Sequence, residues 1–276
     1  MTRTASSPLP CASGSPRSSR SRRRPRPPTG PTSSDRSVGQ ARSDHRLRPG
    51  IGRAIGLRYA ARGADIVINY ARGEVAVEQT RTAAAALGVR AVAVRTDVAI
   101  VDEVRQLFAT MRRPDIVVVN AGLEHSGLPV TEFTEEQFDR MFAVNTKGAF
   151  FTMQEAARHV ADRGRIIYVS SSTTGYPMPG YAPARRQQGS AGVPGSSPRP
   201  RGGSSGVTVN AILPSATQGA GLHTDAGPDA PIRAFLHDFN PMGRMGTADD
   251  VAEFFAGPLS SFVSGQSLTV AGGALA

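Results

Sequence analysis

From residue 50 onward, apolar positions recur first at helical spacing and then in short unbroken runs, and this alternation repeats along the chain. Residues 51–62 space their apolar side chains for one face of a helix, with Gly63 as its C-terminal cap. Ile66, Val67 and Ile68 follow within 65–70 as a continuous run, the mark of a strand buried on both faces. Residues 74–87 read as a helix, 89–94 as a strand, 101–111 as a helix and 115–119 as another strand. The longest helical pattern is 131–151, in which Thr134 and Gln137 have the spacing of a capping box. Residues 165–170 and 207–213 read as strands, 250–255 as a short helix and 267–270 as a closing strand. Repeated β–α units of this length predict an α/β fold, a doubly wound parallel sheet in a single domain.

Two stretches, 1–49 and 184–206, carry neither period. They are rich in Ser, Pro, Gly and Arg, a composition that buries too little apolar surface to offset ordering entropy. Residues 1–49 therefore read as a disordered basic segment, and 184–206 as an irregular stretch inside a domain spanning 50–276. The same two stretches hold the charge. The chain's net +10 divides into +9 over residues 1–50, where 11 Arg meet only Asp35 and Asp44, and +4 over 182–206, which leaves −3 elsewhere. A nucleic-acid-binding protein using 19–26 as a basic arm is an outlying alternative. That arm lacks interleaved aromatics, so no nucleic-acid partner is expected. No apolar run reaches the ~18 residues of a membrane helix, so no membrane partner is expected, and the N-terminus lacks a secretory leader's apolar core. The lone Cys11 fits a reducing, cytoplasmic setting.

Candidate chemistry collects where strands end. Gly50, Ile51 and Gly52 open the first helix, where small residues let backbone N–H groups approach a pyrophosphate. Asp97 and Val98 follow one strand. Asn120, Ala121 and Gly122 follow the next, at the carboxyl edge where such sheets bind ligands. Asn145 lies in the long helix, Ser170, Ser171 and Ser172 end a further strand, and Pro214 closes the one carrying Asn210. No His, Asp or Glu cluster has metal-ligand spacing, so no metal is expected.

The order and separation of these motifs resemble those of the classical short-chain dehydrogenases/reductases (SDRs) over residues 50–181 and 207–276. The resemblance implies a Rossmann-type oxidoreductase that uses NAD(P)H to interconvert a ketone and a secondary alcohol. It places Gly50, Ile51, Gly52 and Pro214 on the cofactor groove and Asp97 with Val98 at the adenine. Asn120, Ala121 and Gly122 fall at the sheet edge beside the cofactor. Ser171 would polarise the substrate carbonyl, and Asn145 would hold a proton-relay water. A homo-oligomer is expected of such a family.

The sequence departs from that pattern at the proton donor. Counted from Ser171, the family's catalytic Tyr and the Lys that lowers its pKa fall on Ala184 and Gln188. Tyr181 with Arg185 repeats the spacing out of register, which makes Tyr181 the substitute candidate, although Arg is not equivalent to Lys. A shifted reading frame accounts for the loss. Written in GC-rich codons, Arg185 to Ser190 is CGC CGC CAG CAA GGC AGC, which one base later reads Ala-Ala-Ser-Lys-Ala, the usual family sequence after the Tyr. His45 to Gly50, written CAC CGG CTC CGG CCG GGG, becomes Thr-Gly-Ser-Gly-Arg before rejoining Gly50. Both stretches thus read as out-of-frame translations, which removes the first strand and disrupts the catalytic helix. The literal chain is then expected to be impaired or inactive, with a non-catalytic cofactor-binding protein of the same fold as the alternative.

Cofactor choice rests on the strand ending at Tyr70. Asn69 stands where an acid would bind a ribose 2′-hydroxyl, and Arg72 offers a positive charge to a 2′-phosphate, so NADP(H) is expected and NAD(H) is the alternative. The substrate pocket is expected from Leu123, Glu124 and His125, from 173–178 and from 218–224.

Overall fold

The computed structural model describes residues 38–40, 50–123, 125, 129–174, 206–218 and 240–274. Glu124, residues 175–178, Tyr181 and the stretch 184–205 lie outside the described residues, as do 219–224. The described residues all belong to one unit, Ser33–Ala276.

The strands are β1 (Val38–Gln40), β2 (Ile66–Tyr70), β3 (Ala91–Arg95), β4 (Ile116–Val119), β5 (Arg165–Val169), β6 (Thr208–Pro214) and β7 (Ser267–Val270). They form one sheet in the order β3-β2-β1-β4-β5-β6-β7, with every neighbouring pair parallel. The helices are α1 (Ile51–Ala61), α2 (Glu74–Ala85), α3 (Val101–Thr110), α4 (Glu135–Phe142), α5 (Ala149–His159) and α6 (Ala248–Ala252). The strand order reverses between β1 and β4, which is where such a sheet opens a ligand crevice.

Successive strand residues point to opposite faces, so a sheet covered on both sides needs apolar side chains at nearly every position. Val117, Val119, Ile166, Tyr168 and Val209 join α3 and α5 in one buried cluster. The intervening Val118 and Ile167, with Ile66, Ile68 and Ile212, join α1 and Phe255 in the other. This two-sided burial is why the strands read as unbroken apolar runs.

The expected loss of the first strand is corrected. Val38–Gln40 occupies the central place, in register with Val67 to Asn69 on one side and Val117 to Val118 on the other. Ladder hydrogen bonds are made by the backbone alone, so any short extended stretch without Pro can fill the gap between two parallel neighbours. The long helical pattern of 131–151 is also corrected. It divides into a 3-10 turn at Val130–Glu132, α4, a π-helical segment at Ala143–Gly148, and α5, which continues to His159. The start at Thr134 follows its capping box: its Oγ1 accepts from the Gln137 N–H at 3.2 Å, and its own N–H donates to Gln137 Oε1 at 3.0 Å. The helix runs on because Met153 and Ala156 keep the apolar face buried past Phe151.

Candidate active site

Parallel strands put all their carboxyl ends on one edge, and the motif residues sit there. The start of α1 follows the central β1, Asp97 follows β3, Asn120 follows β4 and Ser171 follows β5. Gly50 caps α1 without a side-chain hydrogen bond, and no acidic residue occupies the first turn. The unpaired N–H groups of such a helix start favour an anion. Where a Cβ would stand on Gly50, no atom of the described residues lies within 4 Å.

The loops after β3 and β4 are held by one composite helix. Asn145, in the π-helical segment, is 2% exposed. Its Oδ1 accepts from the Leu123 N–H at 2.7 Å, and its Nδ2 donates to the Leu123 carbonyl at 2.7 Å. The amide thereby completes both backbone groups of the residue next to Asn120, Ala121 and Gly122. One turn further on, Gly148 passes so close to the Asp97–Val98 loop that a Cβ there would meet the Val98 carbonyl oxygen at 2.8 Å. One turn before Asn145, Arg140 Nη2 donates to Asp97 Oδ2 at 2.8 Å. The other Asp97 oxygen accepts from the Ala99 N–H at 3.0 Å, and the Asp97 N–H donates to Glu103 Oε2 at 2.7 Å. A π-helical segment adds a residue to the turn, a geometry frequent at functional sites. Here it brings Arg140, Asn145 and Gly148 to bear on two strand-end loops at once.

Other predicted site residues are placed as follows. Ser171 Oγ lies 2.8 Å from Thr173 Oγ1 and accepts from the Thr173 N–H at 3.3 Å, while Ser172 is 1% exposed with its hydroxyl unpartnered. Asn69 is 1% exposed and donates from Nδ2 to the Thr96 carbonyl at 2.9 Å, which ties the end of β2 to β3. Arg72 lines a groove of about 690 Å³ with Arg95, Asp97 and Glu103, between the ends of β2 and β3 and helix α3. Pro214 ends β6 in register with Val270. The His125 ring stands edge-on to Phe133, 5.8 Å between centroids. The described tyrosines, Tyr59, Tyr70 and Tyr168, are all buried, and burial pushes the Tyr168 phenol up to about 12. Among the described residues, no helix is long and apolar enough to cross a membrane, and no group of three His, Cys, Asp or Glu could hold a metal.

The sequence reading gave no role to Arg140 or Gly148. A glycine inside a strong helical pattern is a signal of close backbone approach that points to Gly148. No local pattern links Arg140 to Asp97, which lies 43 positions away.

A family model described as enoyl-(acyl carrier protein) reductase matches residues 47–274. The chain is 35% identical over 251 residues to a hydroxynaphthalene reductase-like protein of Metarhizium brunneum, covering 82% of this chain and 91% of that protein. It is 33% identical over 248 residues to versicolorin reductase 1 of Dothistroma septosporum, covering 82% and 92%. A short-chain dehydrogenase of Burkholderia cenocepacia, solved in complex with NADP, matches with a TM-score of 0.74 at 28% identity, over 88% of this chain and 98% of its own. The chain belongs to the short-chain dehydrogenase/reductase family, whose members are oxidoreductases built on a single Rossmann-type domain.

Proposed function

We propose that this chain binds NADP(H) along the carboxyl edge of its sheet as a ketone–alcohol oxidoreductase whose turnover is severely impaired by the residues at positions 184 and 188. The observation that carries the reading is the helix α4–α5 holding the loops of Asp97 and Asn120 on either side of the strand-order reversal. The residues present suit a dinucleotide. Among the described residues, nothing crowds Gly50 at a helix start whose first turn holds no acid, which fits a pyrophosphate. Arg72 and Arg95, lining one groove, supply positive charge for a 2′-phosphate, and Asp97 supplies a carboxylate for the adenine amino group. The NADP complex of the Burkholderia cenocepacia relative supports the same cofactor. When bound, the dinucleotide supplies or accepts the hydride.

The chain's own part is to bind, orient and exchange a proton. Ser171 Oγ is the donor available to a substrate carbonyl oxygen, once turned from Thr173. Charge gathering on that oxygen then needs a proton. Ala184 has none to give, and Gln188 cannot place a cation beside a phenolate. Lys147 is the chain's sole lysine and lies on the π-helical segment instead. Leu123 and the edge-on His125–Phe133 pair offer an apolar, aromatic wall. Together with the names of the two relatives, that wall supports a hydroxylated aromatic substrate, reduced through its keto form.

A fluorescence titration of the full chain with NADPH, paired with a turnover assay on 1-tetralone, tests the reading. Saturable binding with turnover near background is expected. No dinucleotide binding would overturn the site, and brisk turnover would overturn the impairment.

A further inference from the structure

Resting on that NADP(H) reading, we infer that Arg140 is a positioning residue for adenine recognition, setting the Asp97 carboxylate from helix α4. Asp97 has a two-oxygen carboxylate with partners assigned by geometry. Oδ1 accepts from the Ala99 N–H within its own turn, and Oδ2 accepts from Arg140 on α4. Each carboxylate oxygen has room for a second donor, so both contacts are compatible with a bond to the adenine amino group. What they remove is rotation. Without Arg140, the Ala99 N–H on Oδ1 is the contact that still holds the carboxylate among the described residues, and Oδ2 gains freedom about the soft χ2 torsion.

The register of the composite helix makes this more than a surface ion pair. Arg140 and Asp97 are both partly buried, at 35% and 26% side-chain exposure. Gly148 pins Val98 and Asn145 pins Leu123 from the same helix, so Arg140 reaches Asp97 from a fixed origin. The Asp97 N–H is held as well, by Glu103 on α3. Asp97 is therefore held at its backbone N–H and at both carboxylate oxygens, and among the described residues Arg140 is the side chain that donates to it.

The test measures NADPH affinity beside that of nicotinamide hypoxanthine dinucleotide phosphate, which replaces the adenine amino group with a carbonyl. The unsubstituted chain is expected to prefer NADPH. In Arg140→Met the NADPH affinity is expected to fall roughly 5- to 10-fold while the hypoxanthine analogue changes little, so the preference collapses. Arg140→Lys, which restores a point charge without the guanidinium fork, is expected to recover part of it. Equal loss for both dinucleotides, or an unchanged preference in Arg140→Met, overturns the positioning role and leaves the site reading standing. Should Arg140→Met fail to fold, the preference ratio in Arg140→Lys and Arg140→Gln decides by the same criterion. No binding of either dinucleotide by the unsubstituted chain overturns the site reading, and the role with it.

Discussion

At the residue scale, the candidate site is held by side chains that complete backbone groups. Asn145 satisfies both the N–H and the carbonyl of Leu123 in a place almost without solvent. Asn145→Ala leaves two buried groups unpaired, each costing about 1–3 kcal/mol, so a loss of several kcal/mol in urea unfolding is expected. A loss under ~0.5 kcal/mol would show that water replaces the amide. Gly148 is fixed for the opposite reason, since there is no room for an added atom. Gly148→Ala drives a methyl into the Val98 carbonyl, which is backbone and cannot rotate away. A destabilisation of about 1–3 kcal/mol is expected even though alanine favours helix, and a stabilised variant would refute the close approach. Asn145 was legible in the sequence because its surroundings are a family motif. Its clamp on Leu123 was not, because a contact across 22 positions leaves no periodic trace.

At the element scale, the strands were the most legible feature and the long helix the least. A strand buried on both faces writes its length directly as an apolar run, and the strand expected within 65–70 forms at Ile66–Tyr70, almost wholly buried. The π-helical segment has no such signature, because one extra residue shifts the apolar face without breaking it. Deleting Thr146 is expected to restore a regular helix and turn Arg140 by about 100° relative to Gly148, since each residue advances that far. Both NADPH affinity and thermal stability should then fall. A deletion variant with unchanged affinity would show that the added residue does not set the site. A smaller element carries a pH dependence. Asp250 is the third residue of the box that opens α6 and accepts from Arg244 at 2.7 and 2.9 Å and from the Thr247 N–H at 2.7 Å. The Arg244 contact, foremost, holds its carboxyl well below the usual carboxylate range. A depressed acid contributes its stability above its unfolded pKa and loses it as pH falls toward the folded one. Stability should therefore decline below about pH 4, and Asp250→Asn should flatten that decline. Parallel acid limbs in the two proteins would remove Asp250 from the account.

At the scale of the whole molecule, the excess basic charge gathers in residues 1–50 and 182–206, and the rest of the chain carries −3. The chain has 32 Lys and Arg residues in all, and Lys147 is the sole lysine among them. Arginine is written mainly with G and C and lysine with A, so a GC-rich gene underlies the chain, the condition under which a one-base shift turns family motifs into Arg, Pro, Gly and Ser. On the proposed shifted frame, the stretch 184–206 would be the loss of a whole segment, of which the missing Tyr and Lys are the most visible part. This distinction can be measured. Ala184→Tyr with Gln188→Lys supplies both side chains but leaves the remaining sequence without a helical period, so turnover of 1-tetralone is expected to stay near background. Shifting the frame by one base through codons 185–206, restoring it before Val207 and adding Ala184→Tyr supplies the same two groups, with the Lys now inside an Ala-Ala-Ser-Lys-Ala run. An increase of about 10²- to 10⁴-fold is expected there, the usual contribution of a positioned general acid. If the double substitution alone matches the frame-restored chain, the surrounding segment is dispensable and the shifted frame explains nothing about activity. A DNA sequence that encodes both stretches as written, with activity in the unaltered chain, would remove the shift altogether.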